Sequence, residues 1–188
     1  MGMMEASQEA EEFPTLPDYL AADLDIVFVG LNPSEYSVRV GRYFANPRNR
    51  FWVALNRAGL AEGAFAPLND SSLLTHGIGF TDVVKRPTRQ GSGLRSADFR
   101  RWAPVLKVKL LKYGPRIACF HGVTGYRQYL TYAEGVKEKA ELGLQRRLIG
   151  ESRVFVVPNP SPANAQYSLD DLVVWYRQLK ALRESLAR

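Results

Sequence analysis

The stretch Leu24-Asp25-Ile26-Val27-Phe28-Val29-Gly30 runs directly into Leu31-Asn32-Pro33-Ser34. A short, β-branched, almost wholly apolar run closed by glycine reads as a strand buried on both faces, the habit of a parallel sheet. Three further runs of this kind follow: Ile78-Gly79-Phe80-Thr81-Asp82-Val83-Val84, Arg116-Ile117-Ala118-Cys119-Phe120-His121 and Arg153-Val154-Phe155-Val156-Val157. Helical patterns lie between them. Phe51, Trp52, Leu55 and Ala58 recur at helical spacing, with Gly59 at the stop position, and Leu68 to His76 reads as a second helical stretch. Ser96 or Asp98 is placed to cap a helix reaching about Tyr113, with Pro104 as a kink or restart. Gly122 opens another helix through Tyr129, and Leu169 to Leu186 has the 3.6-residue pattern of a long final helix beginning after Ser168. Residues 131–150 are charged and carry no clear period. Strands alternating with helices predict an α/β fold, a three-layer sandwich with a central, mostly parallel short β-sheet flanked by helices. In such sheets ligands sit beyond the carboxyl ends of the strands. Three loops at that edge hold the unusual residues: Gly30 to Ser34, the segment around Asp82, and Asn159-Pro160-Ser161.

The rest of the chain sets the limits around this core. With 188 residues, 46% hydrophobic and 23% charged, one domain over 14–188 is expected, large enough to bury a core without disulfides. Residues 1–13 are polar, acidic and aperiodic and read as a mobile tail. The single cysteine, Cys119, lies in an apolar strand, which excludes a disulfide framework, a Cys/His zinc site and a four-thiolate iron–sulfur cluster. The N-terminus lacks the basic and apolar regions of a signal peptide, and no apolar run approaches the roughly 20 residues that span a bilayer. A soluble, cytoplasmic protein is expected, with no membrane partner.

Charge is unevenly spread. Residues 1–25 hold seven acids and no Lys or Arg, so the net charge of +6 leaves +13 on the remainder. Between Arg39 and Arg116 fifteen Lys/Arg face four acids, a balance suited to a polyanion, although many basic enzymes bind only small anions. No phosphate loop, dinucleotide glycine motif or zinc-protease motif is present, and the two histidines, His76 and His121, are far apart in sequence. Metal chemistry through a histidine pair is not expected. His121 ends a strand at the ligand edge, where packing or capping is its more common use.

Four blocks in order carry a resemblance: Gly30-Leu31-Asn32-Pro33-Ser34, Phe44-Ala45-Asn46-Pro47-Arg48-Asn49-Arg50-Phe51-Trp52, Gly79 through Thr88, and Pro158-Asn159-Pro160-Ser161. Over about residues 24–180 the chain resembles the mismatch-specific uracil/thymine-DNA glycosylases of the uracil-DNA glycosylase superfamily. The resemblance implies a monomeric enzyme that flips a damaged pyrimidine out of double-stranded DNA and hydrolyses its N-glycosidic bond in base excision repair, without cofactor or metal. Such chemistry needs donors at the departing base, negative charge near the sugar and a positioned water. Uracil opposite guanine is the first expected substrate. Uracil in single strands or in A·U pairs, thymine opposite guanine, and a non-catalytic nucleic-acid-binding relative remain alternatives.

Residue by residue, Asn32 matches the family's catalytic asparagine, with Gly30 and Leu31 lining the same pocket. Phe44 matches the aromatic that stacks on the flipped base, and Ser37 falls near the pyrimidine C5 edge. Asp82 departs from the family, which usually carries Lys or Asn there. A carboxylate at that position is suited to activating water or offsetting charge on the sugar, against the ordinary use of a strand-end Asp in bonding local backbone N–H groups. The loop Asn159-Pro160-Ser161-Pro162-Ala163-Asn164-Ala165-Gln166-Tyr167 matches the loop that enters the duplex, with Asn159 contacting the base or its backbone. The bacterial branch offers Gly-Leu-Ser-Arg after Asn-Pro-Ser, whereas Pro162, Ala163, Asn164 and Ala165 are small or polar, and Tyr167 is the other candidate wedge. Lys85, Arg86 and Arg89 are candidate phosphate contacts, with a solvated turn as the alternative.

Overall fold

The computed structural model describes residues 13–186. The acidic tail expected over 1–13 lies outside them except for Phe13, whose ring meets Trp102 edge-on at 6.2 Å. Five strands form one sheet in the order β2-β1-β3-β5-β4. Strands β1 (Ile26–Gly30), β2 (Ile78–Asp82), β3 (Ile117–His121) and β5 (Arg153–Val157) are parallel, and β4 (Gly143–Leu144) adds a short antiparallel edge. The three-layer expectation holds because side chains alternate along each strand. Ile26 and Phe28 join Ile117, Cys119, Phe155 and Val157 on one face, covered by α2 (Phe51–Ala58) and α5 (Leu169–Ser185). Val27 and Val29 join Ala118, Phe120, Val154 and Val156 on the other, covered by α3 (Ser96–Tyr113) and α4 (Val123–Tyr129).

Local chemistry accounts for the helix ends. Gly59 stops α2 at φ 65°, a left-handed conformation that costs glycine nothing. Ser168 caps α5 by accepting from the Asp171 amide at 3.1 Å. At α3 Asp98, not Ser96, does the capping, its carboxylate accepting from the Arg95 amide at 2.8 Å, and the helix carries Pro104 without breaking. Short elements escape the sequence pattern, among them α1 (Glu35–Val40), β4, the 3₁₀ turn Gly91–Gly93 and the π-helical turn Leu130–Glu134. Helix α1 is six residues long, too short to show a period, and Ser34 caps it. Strand β4 is only two residues. The stretch expected as a helix from Leu68 to His76 is a 3₁₀ segment, Pro67–His76, and β2 ends at Asp82 instead of running to Val84.

Ahead of β1, the chain straps the open edge of β2. Tyr19 donates to and accepts from Phe80 across an antiparallel bridge, at 2.9 and 3.0 Å, which protects part of an edge strand from pairing elsewhere. Gly79 makes this possible. A Cβ there would stand 2.2 Å from the Tyr19 carbonyl oxygen and 2.7 Å from Leu24 Cδ1. No helix among the described residues is long and apolar enough to cross a membrane.

Gly79→Ala is therefore expected to lower stability by about 1–3 kcal/mol, the usual cost of overpacking a closed site. Urea unfolding followed by circular dichroism measures it, and an unchanged midpoint would mean that the strap yields freely.

Candidate active-site cleft

Strand order reverses direction at β1, since β2 lies on one side of it and β3 on the other. The crevice at such a switch opens beyond the carboxyl ends, and here it is a cleft of about 470 Å³. Gly30, Leu31, Asn32, Ser37, Phe44, Asp82, Arg89, Asn159, Ser161, Pro162 and Ala163 all line it. Four segments well separated in the chain thus meet at one sheet edge.

Asn32 is held by its amide nitrogen. Nδ2 donates to the Arg86 carbonyl at 2.9 Å and to Thr88 Oγ1 at 2.8 Å, while the Thr88 hydroxyl donates to the Gln90 carbonyl at 2.7 Å. Both amide hydrogens are thereby committed, and Oδ1 is left as the acceptor.

Phe44 sits on a forced turn. Its φ is 49°, unusual for a residue with a side chain. Its neighbours explain how the turn is kept: the Tyr43 amide donates to Asp70 Oδ2 at 2.9 Å, the Ala45 amide to Ser37 Oγ at 3.2 Å, and Trp52 Nε1 to the Tyr43 carbonyl at 3.2 Å. Ser37 thus shapes the backbone around the aromatic as well as lining the cleft. The Phe44 ring stacks on Phe51 with centroids 4.2 Å apart. Asp70, buried and bound also by Arg42 at 3.0 Å, gave no sign in the sequence that it belonged to this turn.

Asp82 is paired with Gly30 in the strand register, and a Cβ on Gly30 would lie 2.5 Å from its Oδ1. Glycine is the residue that lets the carboxylate lie over β1. The partner of Asp82 is the Lys85 ammonium at 3.4 Å. Burial pushes the carboxyl up to about 6, with Lys85 opposing and the like charge of Asp18 adding. His121 also lines the cleft. It is stacked on Phe28, shares a 3.1 Å contact between Nε2 and the Tyr176 hydroxyl, and is pushed down to about 3 by burial, so it is neutral at ordinary pH.

Two of the expected phosphate contacts need correction. Lys85 is 2% exposed and enclosed by Asp18 and Asp82, so it cannot reach a phosphate. Arg86 forks onto Asp98 with two contacts of 2.7 Å and serves the cleft through its carbonyl. Arg89 is exposed at the cleft mouth beside Arg48, and the two also line the open groove that continues from it. Arg48 stands in the Asn46-Pro47-Arg48-Asn49 block, where no sequence pattern marks it as a cleft residue.

The 159–167 loop is folded on itself. Asn159 Oδ1 accepts from the Ser161 amide at 2.9 Å, and Asn164 turns inward to donate to the Asn159 carbonyl at 3.0 Å. Asn164 and Ala165 do not line the cleft. Arg50 staples the whole loop: its guanidinium donates to the carbonyls of Pro160 (3.4 Å), Ser161 (3.1 Å), Asn164 (2.9 Å) and Tyr167. The sequence reading missed this role, because a surface arginine ahead of a helix has no pattern that announces carbonyl partners more than a hundred residues away.

The fold and cleft define an α/β protein that presents polar and aromatic side chains at the carboxyl edge of a mostly parallel sheet. Comparison with known proteins carries this further. The model of the uracil DNA glycosylase superfamily matches residues 17–182, and the chain belongs to that superfamily. It is 34% identical over 158 residues to the G/U mismatch-specific uracil DNA glycosylase of Schizosaccharomyces pombe, a match covering 81% of this chain and 49% of that one. The chain thus spans about half the length of that relative. A solution NMR structure of a uracil DNA glycosylase candidate from Methanosarcina acetivorans shares the fold, with TM-score 0.58 and 24% identity over 92% of this chain and 96% of that chain.

Arg50→Ala is expected to cost about 2–3 kcal/mol in urea unfolding, since a charged donor contributes about 1.5–3 kcal/mol where its acceptors have no substitute. Amide exchange should quicken across 159–167 while the sheet stays protected. Arg50→Lys keeps the charge but loses the fork, and should recover less than half of the loss.

Proposed function

We propose that this chain is a monofunctional DNA glycosylase that flips uracil, preferably opposite guanine, out of double-stranded DNA and hydrolyses its N-glycosidic bond. It would act as a monomeric single domain over 14–188 in base excision repair, leaving an abasic site. The observation that carries the reading is the convergence of Asn32, Asp82 and Phe44 on one cleft of about 470 Å³, with Arg48 and Arg89 at its mouth.

The reaction needs little more than these groups. The difficult step is departure of an anionic base from a sugar that gains positive charge. Asn32, with its donors already used, accepts a hydrogen bond from the attacking water and fixes its position, but an amide is a weak base. Asp82 supplies the negative charge. Its carboxyl titrates near 6, so it is mostly ionised at neutral pH and retains more affinity for a proton than an exposed aspartate. Activity should rise as pH rises through about 6. Phe44 offers a stacking surface to the base, worth about 1–3 kcal/mol, and Asn159, whose oxygen is engaged by Ser161, has amide hydrogens to offer the base or its backbone. Ser161, Pro162, Ala163 and Ala165 belong to the loop that would meet the duplex, and Arg89 to its phosphates.

Incubation with a labelled uracil duplex followed by hot alkali, which cuts at abasic sites, tests the reading. Asp82→Asn and Asn32→Ala should each slow single turnover by about 10²–10⁴, the span of positioned acid–base groups, with DNA affinity little changed. An Asp82→Asn protein of near-full activity would remove Asp82 from the chemistry, and binding without cleavage by the unaltered protein would favour a non-catalytic binding module.

Substrate preference follows from the loop. Opening a pair costs a few kcal/mol, least where pairing is already poor, and Ala163 and Ala165 offer little to insert in its place. Uracil opposite guanine or in single strands should be removed faster than uracil opposite adenine. Ala163→Leu should raise activity on A·U more than on G·U. No effect of Ala163→Leu, together with loss of flipping in Tyr167→Ala read by 2-aminopurine fluorescence, would make Tyr167 the wedge.

A further inference from the structure

Behind Asp82 lies a chain of four charges leading out of the cleft. Lys85 Nζ is 2.9 Å from Asp18 Oδ1 and 3.4 Å from Asp82 Oδ2. Lys109, on α3, meets the other oxygen of Asp18 at 2.5 Å, and the Thr81 hydroxyl donates to Asp18 Oδ1 at 2.8 Å. Thr15, on the same strap as Asp18, donates to the Lys85 carbonyl at 2.5 Å and fixes the strap over this spot. Lys85 is closed to solvent whereas Lys109 is partly open, so the row runs from the cleft to the surface.

The two carboxylates are unequally served. Asp18 has two cations and a hydroxyl; Asp82 has the longer share of one cation. We propose that Asp18 is a positioning residue that competes with Asp82 for the Lys85 ammonium, and that this division of one buried cation between two carboxylates sets how readily Asp82 holds a proton in the cleft. The proposal rests on the role given to Asp82 above. The remaining groups around Asp82 leave the control to this row. On β1 the neighbour is Gly30, which has no charge; His121 at the end of β3 is neutral; and the Tyr43 hydroxyl is pushed well up by burial and stays protonated. Tyr19 on the strap is likewise raised, and Arg42 and Asp70 answer each other at 3.0 Å. Burial alone would raise the Asp18 carboxyl, yet Lys85 and Lys109 hold it below its ordinary value. A proton entering the row therefore goes to Asp82.

The test reads Asp82 directly, by carboxyl carbon NMR of the full chain labelled at aspartate, with Asp82→Asn to assign the signal, alongside single-turnover pH profiles on a G·U duplex. Asp18→Asn releases the cation to Asp82 and should move its titration down by about one pH unit, and Lys85→Met should move it up by about one unit or more, the usual effect of one close charge. If Lys85→Met does not fold, Lys109→Met at the outer end carries the same upward sign. A merely structural role would admit water in every variant and move Asp82 downward in all of them. Downward or absent shifts in the lysine variants, or an upward shift in Asp18→Asn, would overturn the proposal. The expected NMR shifts in a protein that removes no uracil would uphold the division of the cation and defeat the glycosylase reading instead.

Discussion

A parallel sheet covered on both faces meets water at its strand ends and its two edges alone, and that constraint organises this molecule. The strands are apolar on both sides because α2 and α5 cover one face and α3 and α4 the other. Polar side chains collect at the carboxyl edge: Asp82 closing β2, His121 closing β3, Asn32 and Asn159 just beyond β1 and β5. Because β2 and β3 flank β1 on opposite sides, the loops leaving them part there and the cleft opens.

What stands in the cleft is unfavourable to the fold taken locally. Phe44 holds a left-handed backbone, a cost of about 1–3 kcal/mol that persists only where the surroundings over-determine it. Here three buried hydrogen bonds to its flanking residues do so. Asp82 is raised by burial, so the folded state binds its proton more tightly than the unfolded chain. Stability from this group is fullest at low pH and falls as pH rises from the unfolded value of 3.8 through about 6. At neutral pH the fold therefore carries an ionised carboxylate that it would hold more easily protonated. Under the proposed reaction that same tension makes Asp82 a usable base.

The sequence exposed what depends on local pattern. Strands β1, β3 and β5, helix α2 with Gly59 behind it and helix α5 with its Ser168 cap follow from periodicity and caps, and loops at one edge follow from parallel strands. Asn32 and Phe44 stand on loops at that edge, Asp82 closes β2 beside them, and all three are readable through motif resemblance. Contacts across the chain were not readable. Lys85 in a Lys-Arg-Pro turn looks like a solvated cation, and only the strap that brings Asp18 over β2 turns it into an internal one. Asp70 and Arg50 similarly act on backbone groups 27 and more than 110 residues away, which no spacing rule reaches.

Arg50 bears on how a loop of small side chains can serve on a duplex. A bulky wedge recovers part of the cost of opening a pair by filling the gap. The 159–167 loop has little to fill it with, but its carbonyls at Pro160, Ser161, Asn164 and Tyr167 converge on one guanidinium, and Asn159 and Asn164 close it from within. A loop already ordered loses less conformational entropy when it docks. Preorganisation of this kind favours binding wherever the loop can seat, yet it adds nothing specific for an inserted side chain. Under the proposed function the burden of opening the pair would then fall on the substrate, and the rigidity that Arg50 gives the loop would make discrimination between weak and strong base pairs its consequence.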